Sequence, residues 1–248
     1  MEKNFYHPSH TYLMDLLRKS LEGKVGIVAG VGMGQGKAVV KALLDNGAKV
    51  FAFSRTQKDI GITDRNFKML KGDSTVKEDV LRIAGEVARD EEIVDLLYNN
   101  HGFFSSGDST EFGSALPTFF SRNVMGSVNT INVFHKMMKR GGSIVNVGAS
   151  RSIFRKSSLE YAVSKYSVEE MTLKFSSILM GKNIRVNAIL PGNVDSSPDT
   201  DVSVQQTPKG AGDKRNVTPT EVANVALFLL SDMSSGITGQ CITVDREM

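Results

Sequence analysis

From residue 24 onward, short apolar runs rich in β-branched side chains alternate with stretches whose apolar residues recur at helical spacing. Buried parallel strands read as near-continuous apolar runs, and each needs a crossover to bring the chain back. The alternation therefore predicts an α/β fold whose parallel sheet is covered on both faces. Seven runs qualify as strands: 25–29, 48–53, 67–70, 93–98, 143–147, 185–190 and 241–244. Between them, 35–46 gathers Val39, Val40, Leu43 and Leu44 on one helical face, and 77–89 gathers Val80, Leu81, Ile83, Ala84 and Val87. Longer helical patterns cover 116–138, 158–180 and 220–230, the last behind Thr218-Pro219, a helix-start signal.

Two segments fall outside this rhythm. Residues 1–22 precede the first strand as an N-terminal extension, and a short helix over 11–20 is expected to turn Leu13, Leu16 and Leu17 to the body. Residues 193–216, rich in Ser, Pro, Asp, Thr and Gly, follow the sixth strand. Loops at the carboxyl ends of strands border the ligand crevice of an open α/β sheet, which makes this one a candidate substrate loop and mobile lid.

A length of 248 residues suits a single α/β domain, expected over 23–248, and 40% apolar with 23% charged residues is globular composition. Thirty Lys and Arg against 27 Asp and Glu leave a charge of +3, with the basic residues scattered. That pattern speaks against a nucleic-acid partner. One cysteine, Cys241, and four dispersed histidines offer neither an internal disulfide nor a zinc spacing, so no metal site is expected and the cytoplasm is the expected location. The longest apolar run, 225–230, is far too short to span a membrane.

The first strand runs into Gly30-Val31-Gly32-Met33-Gly34-Gln35-Gly36, and a helical pattern follows at once. Glycines between strand and helix allow a tight turn and let main-chain N–H groups approach a diphosphate, so Gly30, Gly34 and Gly36 are candidate nucleotide-binding residues. Tyr161 and Lys165, four apart on a helical stretch, stack on one face. By spacing alone the pair is also an ordinary cation–aromatic contact on a solvated face.

Taken in order, the motifs resemble one family. Gly30-x-x-x-Gly34-x-Gly36, Asn99-Asn100-His101-Gly102, Tyr161-x-x-x-Lys165, Pro191-Gly192 and the closing Ile237-Thr238-Gly239-Gln240 with Val244-Asp245 are similar to the signatures of the short-chain dehydrogenases/reductases, over residues 24–245. The resemblance implies a Rossmann-type, doubly wound seven-stranded sheet and reversible hydride transfer between a nicotinamide cofactor and a carbonyl or alcohol. The 3-oxoacyl-acyl-carrier-protein reductase, glucose dehydrogenase and tropinone-reductase-like branches are resembled about equally. Tyr161 is then the general acid, and Lys165 lowers its pKa and holds the nicotinamide ribose. Asn123 supports a relay to the lysine. Asp73 lies beside the adenine, although it also serves as a helix N-cap. Asn100, Gly102, Pro191, Gly192 and Val194 complete the cofactor set.

Several positions depart from the family. His101 stands where a small packing residue is usual and reads as a structural histidine. The usual serine position, three after Asn146, is Ala149, so Ser150, or failing that Ser152, is the expected replacement. The family's VDGG reads Val244-Asp245-Arg246-Glu247. At the end of the second strand the acidic residue of NAD enzymes is replaced by Ser54, with Arg55 beside it, which predicts NADP(H). Phe103 and Phe104 are candidates for an apolar substrate pocket. A homotetramer built through the two longest helices is the family's usual assembly. The other reading is a nucleotide-binding member without catalysis, acting as a regulatory or assembly subunit.

Overall fold

The computed structural model describes residues 10–56, 59–105, 111–139, 141–195 and 216–246. The chain enters through α1 (His10–Leu21) and builds β1 (Val25–Ala29), α2 (Gln35–Asp45), β2 (Lys49–Ser54), β3 (Phe67–Lys71), α3 (Lys77–Asp90) and β4 (Leu96–Asn99). It continues through α4 (Leu116–Phe120), a π-helical turn (Ser121–Met125), α5 (Gly126–Phe134), β5 (Gly142–Val147), α6 (Arg151–Phe154), α7 (Leu159–Leu179), β6 (Ile184–Pro191), α8 (Pro219–Leu230) and β7 (Cys241–Val244).

All strand pairs are parallel, and the order is β3-β2-β1-β4-β5-β6-β7. This is the doubly wound, Rossmann-type fold. Successive strand residues face opposite ways, so each strand feeds two cores. Val28, Val50, Tyr98 and Val145 pack with α2 and α8 through Val40, Leu43, Val222 and Leu229. Ile27, Phe51, Leu97 and Ile144 pack with α3 and α5 through Val80, Ile83, Ile131 and Phe134. A capping box between Thr218 and Glu221 starts α8, as the Thr218-Pro219 signal predicts. No helix among the described residues is long and apolar enough to cross a membrane.

Three expectations change. The pattern over 116–138 is not one helix: a π-helical turn separates α4 from α5, and α5 ends at Phe134. The fourth strand begins at Leu96, because Val94 pairs its N–H with Met137 and not with the sheet. Helix α1 meets the body only at its last turn, where Leu17 packs and Leu21 is fully buried, whereas Leu13 and Leu16 are exposed. Of the 193–216 loop, 193–195 and 216 are described, and 196–215 lie outside the described residues.

Beneath the carboxyl ends of β4 and β5 lies a buried polar ladder. Asn99 Nδ2 donates to Asn146 Oδ1 at 2.9 Å, Thr130 Oγ1 donates to Asn99 Oδ1 at 2.7 Å, and Asn146 Nδ2 donates to Thr172 Oγ1 at 3.0 Å. Both asparagines are fully buried. Asn146→Ala strands the Asn99 amide and removes a donor from Thr172, at about 1–3 kcal/mol for each buried group left unpaired. Urea denaturation should show a loss of about 2–4 kcal/mol; less than about 1 kcal/mol would mean that water or relaxation replaces the ladder.

Candidate active site

The Gly-rich turn connects β1 to α2 at the open end of the sheet. Gly30 has φ +83°, and a side-chain carbon there would stand 2.8 Å from the Asn100 carbonyl oxygen. One at Gly36 would stand 3.0 Å from the Val31 Cα, while space at Gly32 is open. Asn100 locks the turn, donating Nδ2 to the Gly30 carbonyl at 2.9 Å and its main-chain N–H to Ala29. Gly34, the N-cap of α2, makes no side-chain capping bond, so the first N–H groups of the helix face the cleft without a side-chain acceptor.

Two cavities share this turn. One, of about 680 Å³, is lined by Gly34, Gly36, Phe104, Ala149, Ile153, Lys156, Tyr161, Lys165, Pro191, Gly192 and Val194, among others. The other, of about 700 Å³, is lined by Ser54, Arg55 and Asp73 and reaches Phe103 and Arg122. Gly30, Gly32, Asn100, His101 and Gly102 line both, which makes them two ends of one cleft.

Tyr161 and Lys165 project from the same face of α7, and Ser158 caps that helix by accepting from the Tyr161 N–H. Lys165 is buried, and its Nζ donates to the His101 carbonyl at 2.5 Å and the Val147 carbonyl at 2.8 Å. These carbonyls follow β4 and end β5, so the sheet itself holds the ammonium. Burial pushes Lys165 down to about 7. Burial likewise pushes Tyr161 up to about 12, opposite to the depression expected from Lys165, whose ammonium is turned toward the two carbonyls.

Asn123 sits in the π-helical turn, which takes it out of the α-helical register. Its Oδ1 accepts the Phe103 N–H at 2.7 Å, and its Nδ2 donates to the Phe103 carbonyl at 3.3 Å and to Ser164 Oγ at 2.9 Å. Ser164 Oγ in turn donates to the Tyr161 carbonyl at 2.9 Å. The segment after β4 is thereby fixed to the helix that carries Tyr161.

Ser150 is not brought to the cleft. Its Oγ lies 2.5 Å from Asp245 Oδ2 and 2.8 Å from Ser152 Oγ, and Ser152 Oγ reaches the same carboxylate oxygen at 2.5 Å. The Ser150 N–H donates to the Pro191 carbonyl, and a side chain at Gly192 would run into the Asp245 carboxylate. Asp245 thus clamps the turn after β5 to the Pro191-Gly192 turn. The wall beside Tyr161 is instead Ala149, in an apolar cluster with Phe103, Phe119, Ile153 and Phe154. Asp73 caps the next segment, accepting from the Thr75 N–H at 2.9 Å, and lines the cleft as well. The turn it closes precedes α3, whose own N-cap is Val76 without a side-chain capping bond.

Residues 30–246 match the family described as enoyl-(acyl carrier protein) reductase. A 3α-hydroxysteroid dehydrogenase of Mediterraneibacter gnavus is 32% identical over 248 residues, covering 91% of this chain and 96% of that one. The chain belongs to the short-chain dehydrogenase/reductase family. A 3-oxoacyl-[acyl-carrier-protein] reductase of Thermotoga maritima is 30% identical over 244 residues, covering 91% and 97%. The ligand-free aldohexose dehydrogenase of Thermoplasma acidophilum has the same fold, with a TM-score of 0.78, 27% identity and 91% and 94% coverage. As a short-chain dehydrogenase/reductase, the protein is an oxidoreductase of alcohol and carbonyl groups that works with a nicotinamide cofactor.

The cleft fits such a dinucleotide. Its floor at Gly30 and Gly36 has no room for side chains, and the Ser54 hydroxyl at its far end is buried without a partner among the described residues. Sequence reasoning missed the Asp245 clamp, whose partners lie more than ninety positions apart, and Lys156 in the cleft wall. It also placed His101 without seeing what it fills. The imidazole occupies the space between Gly30 and Gly126, with Nδ1 3.2 Å from Ser74 Oγ and Nε2 unpartnered among the described residues.

Burial and the nearby Lys165 charge push His101 down to about 3. Below the ordinary value of 6.5 the unfolded chain takes up a proton that the folded chain refuses. The stability that neutral burial supports is therefore intact above about 6.5 and is lost as pH falls. Between about pH 7 and pH 5 the wild type should lose about 2 kcal/mol more than His101→Ala, at roughly 1.4 kcal/mol per unit. Denaturant titrations at both pH values check this, and equal losses in the two proteins would show that the ring protonates without unfolding cost.

Proposed function

We propose that the protein is an NADP(H)-dependent carbonyl reductase in which Tyr161 is the general acid. The observation that carries this reading is the meeting of Tyr161, Lys165 and the Gly-rich turn in one cleft. When bound, the nicotinamide dinucleotide supplies the hydride. Tyr161 gives its phenolic proton to the carbonyl oxygen, and a phenol held at about 12 is protonated at neutral pH, as an acid must be. Lys165, near 7, can exchange a proton close to neutrality at the cleft floor. Asn123 keeps the Phe103 segment and α7 in register. Ser150 acts at one remove, positioning Ala149 and the Pro191-Gly192 turn through Asp245.

The NADP(H) preference rests on the end of β2. No carboxylate follows Phe53 there; the buried Ser54 hydroxyl and the exposed Arg55 guanidinium line the cavity, and together they suit a ribose 2′-phosphate. Asn100, Gly102, Pro191, Gly192 and Val194 suit the rest of the cofactor by lining the cleft.

NADPH and NADH oxidation over a panel of ketones and aldehydes tests the reading. Tyr161→Phe should lower kcat/KM by about 10³-fold or more, Ser150→Ala and Ser152→Ala by roughly tenfold. Arg55→Ala should reduce the NADPH-to-NADH ratio by at least about tenfold. An active Tyr161→Phe enzyme overturns the acid, and an unchanged ratio overturns the cofactor preference. Tight nucleotide binding with no turnover of any carbonyl would instead place the chain among nucleotide binders without catalysis.

The expected homotetramer is supported by a stripe on α7. Leu159, Val163, Tyr166 and Leu173 recur at helical spacing and are all exposed, with Ile178 and Met180 beyond them. Packing this stripe across a two-fold axis buries it. Light scattering should give about four times 27.0 kDa; a monomer at micromolar concentration would refute the assembly.

A further inference from the structure

The cavity that holds Ser54 and Arg55 holds a second arginine. Arg122 lines it from the π-helical turn, half-buried, and its guanidinium lies over the Phe103 ring, 4.3 Å from the centroid. Asp73 is the one carboxylate lining this cavity among the described residues, and its Oδ1 accepts from the Thr75 N–H at 2.9 Å and from Thr75 Oγ1 at 2.8 Å. Arg122 forms no ion pair with it or with any other described residue.

The arginine stands on a fixed support. Phe103 is held through its main chain, its N–H on Asn123 Oδ1 at 2.7 Å and its carbonyl on Asn123 Nδ2 at 3.3 Å, and its ring packs against Phe119 with centroids 5.0 Å apart. Asn123 is the residue after Arg122. One residue of the π-helical turn therefore clamps the main chain of Phe103 while its neighbour covers the ring. A guanidinium laid over an aromatic ring is a planar, cationic plate whose place is set before anything binds.

The chemistry of the cofactor decides what meets that plate. In a nicotinamide dinucleotide phosphate, neighbouring carbons of one ribose carry the 2′-phosphate and the purine. With the 2′-phosphate on Ser54 and Arg55, the purine lies in the same cavity. A purine gains most by covering its flat faces with flat groups. Of the aromatic rings lining the cavity, Phe53 is fully buried within the sheet, His101 is buried between Gly30 and Gly126, and Phe103 is covered by Arg122. Among the described residues, the Arg122 guanidinium is the planar group left to meet the base.

Resting on the reading of the cleft as an NADP(H) site, we propose that Arg122 is the stacking platform for the adenine ring, with its guanidinium between the purine and Phe103. The two arginines then divide the adenosine end of the cofactor. Arg55 presents its fork to a charge and separates NADPH from NADH, whereas Arg122 presents its face to a ring and strengthens both equally.

Calorimetric binding of NADPH, NADH and nicotinamide mononucleotide tests this in the wild type, Arg122→Ala, Arg122→Lys and Arg122→Phe. Arg122→Ala should weaken NADPH and NADH alike by about tenfold, the range of a desolvated cation–π contact, and leave nicotinamide mononucleotide, which has no purine, unchanged. Arg122→Phe keeps a flat face without the charge and should hold both dinucleotides within about threefold of the wild type. Arg122→Lys keeps the charge without the flat face and should lose most of what Arg122→Ala loses. The reverse order, with Lys tight and Phe weak, or a loss confined to NADPH, makes Arg122 a phosphate ligand and overturns the stacking. Unchanged affinity in Arg122→Ala overturns it as well, leaving Arg122 a cover for Phe103, and so does an equal loss for nicotinamide mononucleotide, which would mean that the whole cleft has shifted. Each of these outcomes leaves the NADP(H) reading standing, whereas a wild type that binds neither dinucleotide removes that reading and this inference with it.

Discussion

The site depends on the point where β1 lies between β2 and β4. From β1 the chain first builds outward through β2 and β3, then returns to β4 and builds the other way. The connections at the carboxyl ends of β1 and β4 therefore leave in opposite directions, and a crevice opens between them. The candidate site is built around that crevice, with Tyr161 and Lys165 reaching it from α7. The Gly-rich turn leaves β1, Asn100 to Phe104 leave β4, and Asn100 joins the two by holding the Gly30 carbonyl.

The same geometry explains how a lysine can be buried at the centre of the molecule. Lys165 reaches the cleft floor from α7, and its ammonium ends between carbonyls at the ends of two adjacent strands. Strand ends provide acceptors that no further strand residue uses, and burial then makes the charge expensive enough to bring the group near neutrality. The polar ladder of Asn99, Asn146, Thr130 and Thr172 stiffens those two strands one layer below. Rigidity at β4 and β5 is thus transmitted to the ammonium through main chain alone.

How much of this the sequence discloses follows from how local each feature is. The strands at 25–29 and 241–244 are bounded as expected, because apolar runs and the flanking glycine or polar residues determine both ends. Tyr161 and Lys165 share a face because four-residue spacing on a helix requires it. The pattern over 116–138 conceals a π-helical turn, since one extra residue barely changes apolar periodicity while redirecting Asn123. The spacing of Leu13, Leu16 and Leu17 marks a face on α1, but a periodic face does not say which turn meets the body. The Asp245 clamp has no local signal at all: Ser150, Ser152 and Asp245 come together only because β5, β6 and β7 are neighbours.

The clamp and Ala149 bear on one another. With a hydroxyl missing from the wall beside Tyr161, the two serines that follow are bound to a carboxylate that already fixes the Pro191-Gly192 turn. Releasing Ser150 toward the cleft would cost its charge-assisted hydrogen bond to the Asp245 carboxylate. The clamp therefore keeps the wall apolar as well as fixed. An apolar wall strengthens whatever polar contact remains at the reacting oxygen, because no neighbouring dipole screens it. In the proposed reductase that contact is the Tyr161 hydroxyl, which lines the cleft beside Ala149.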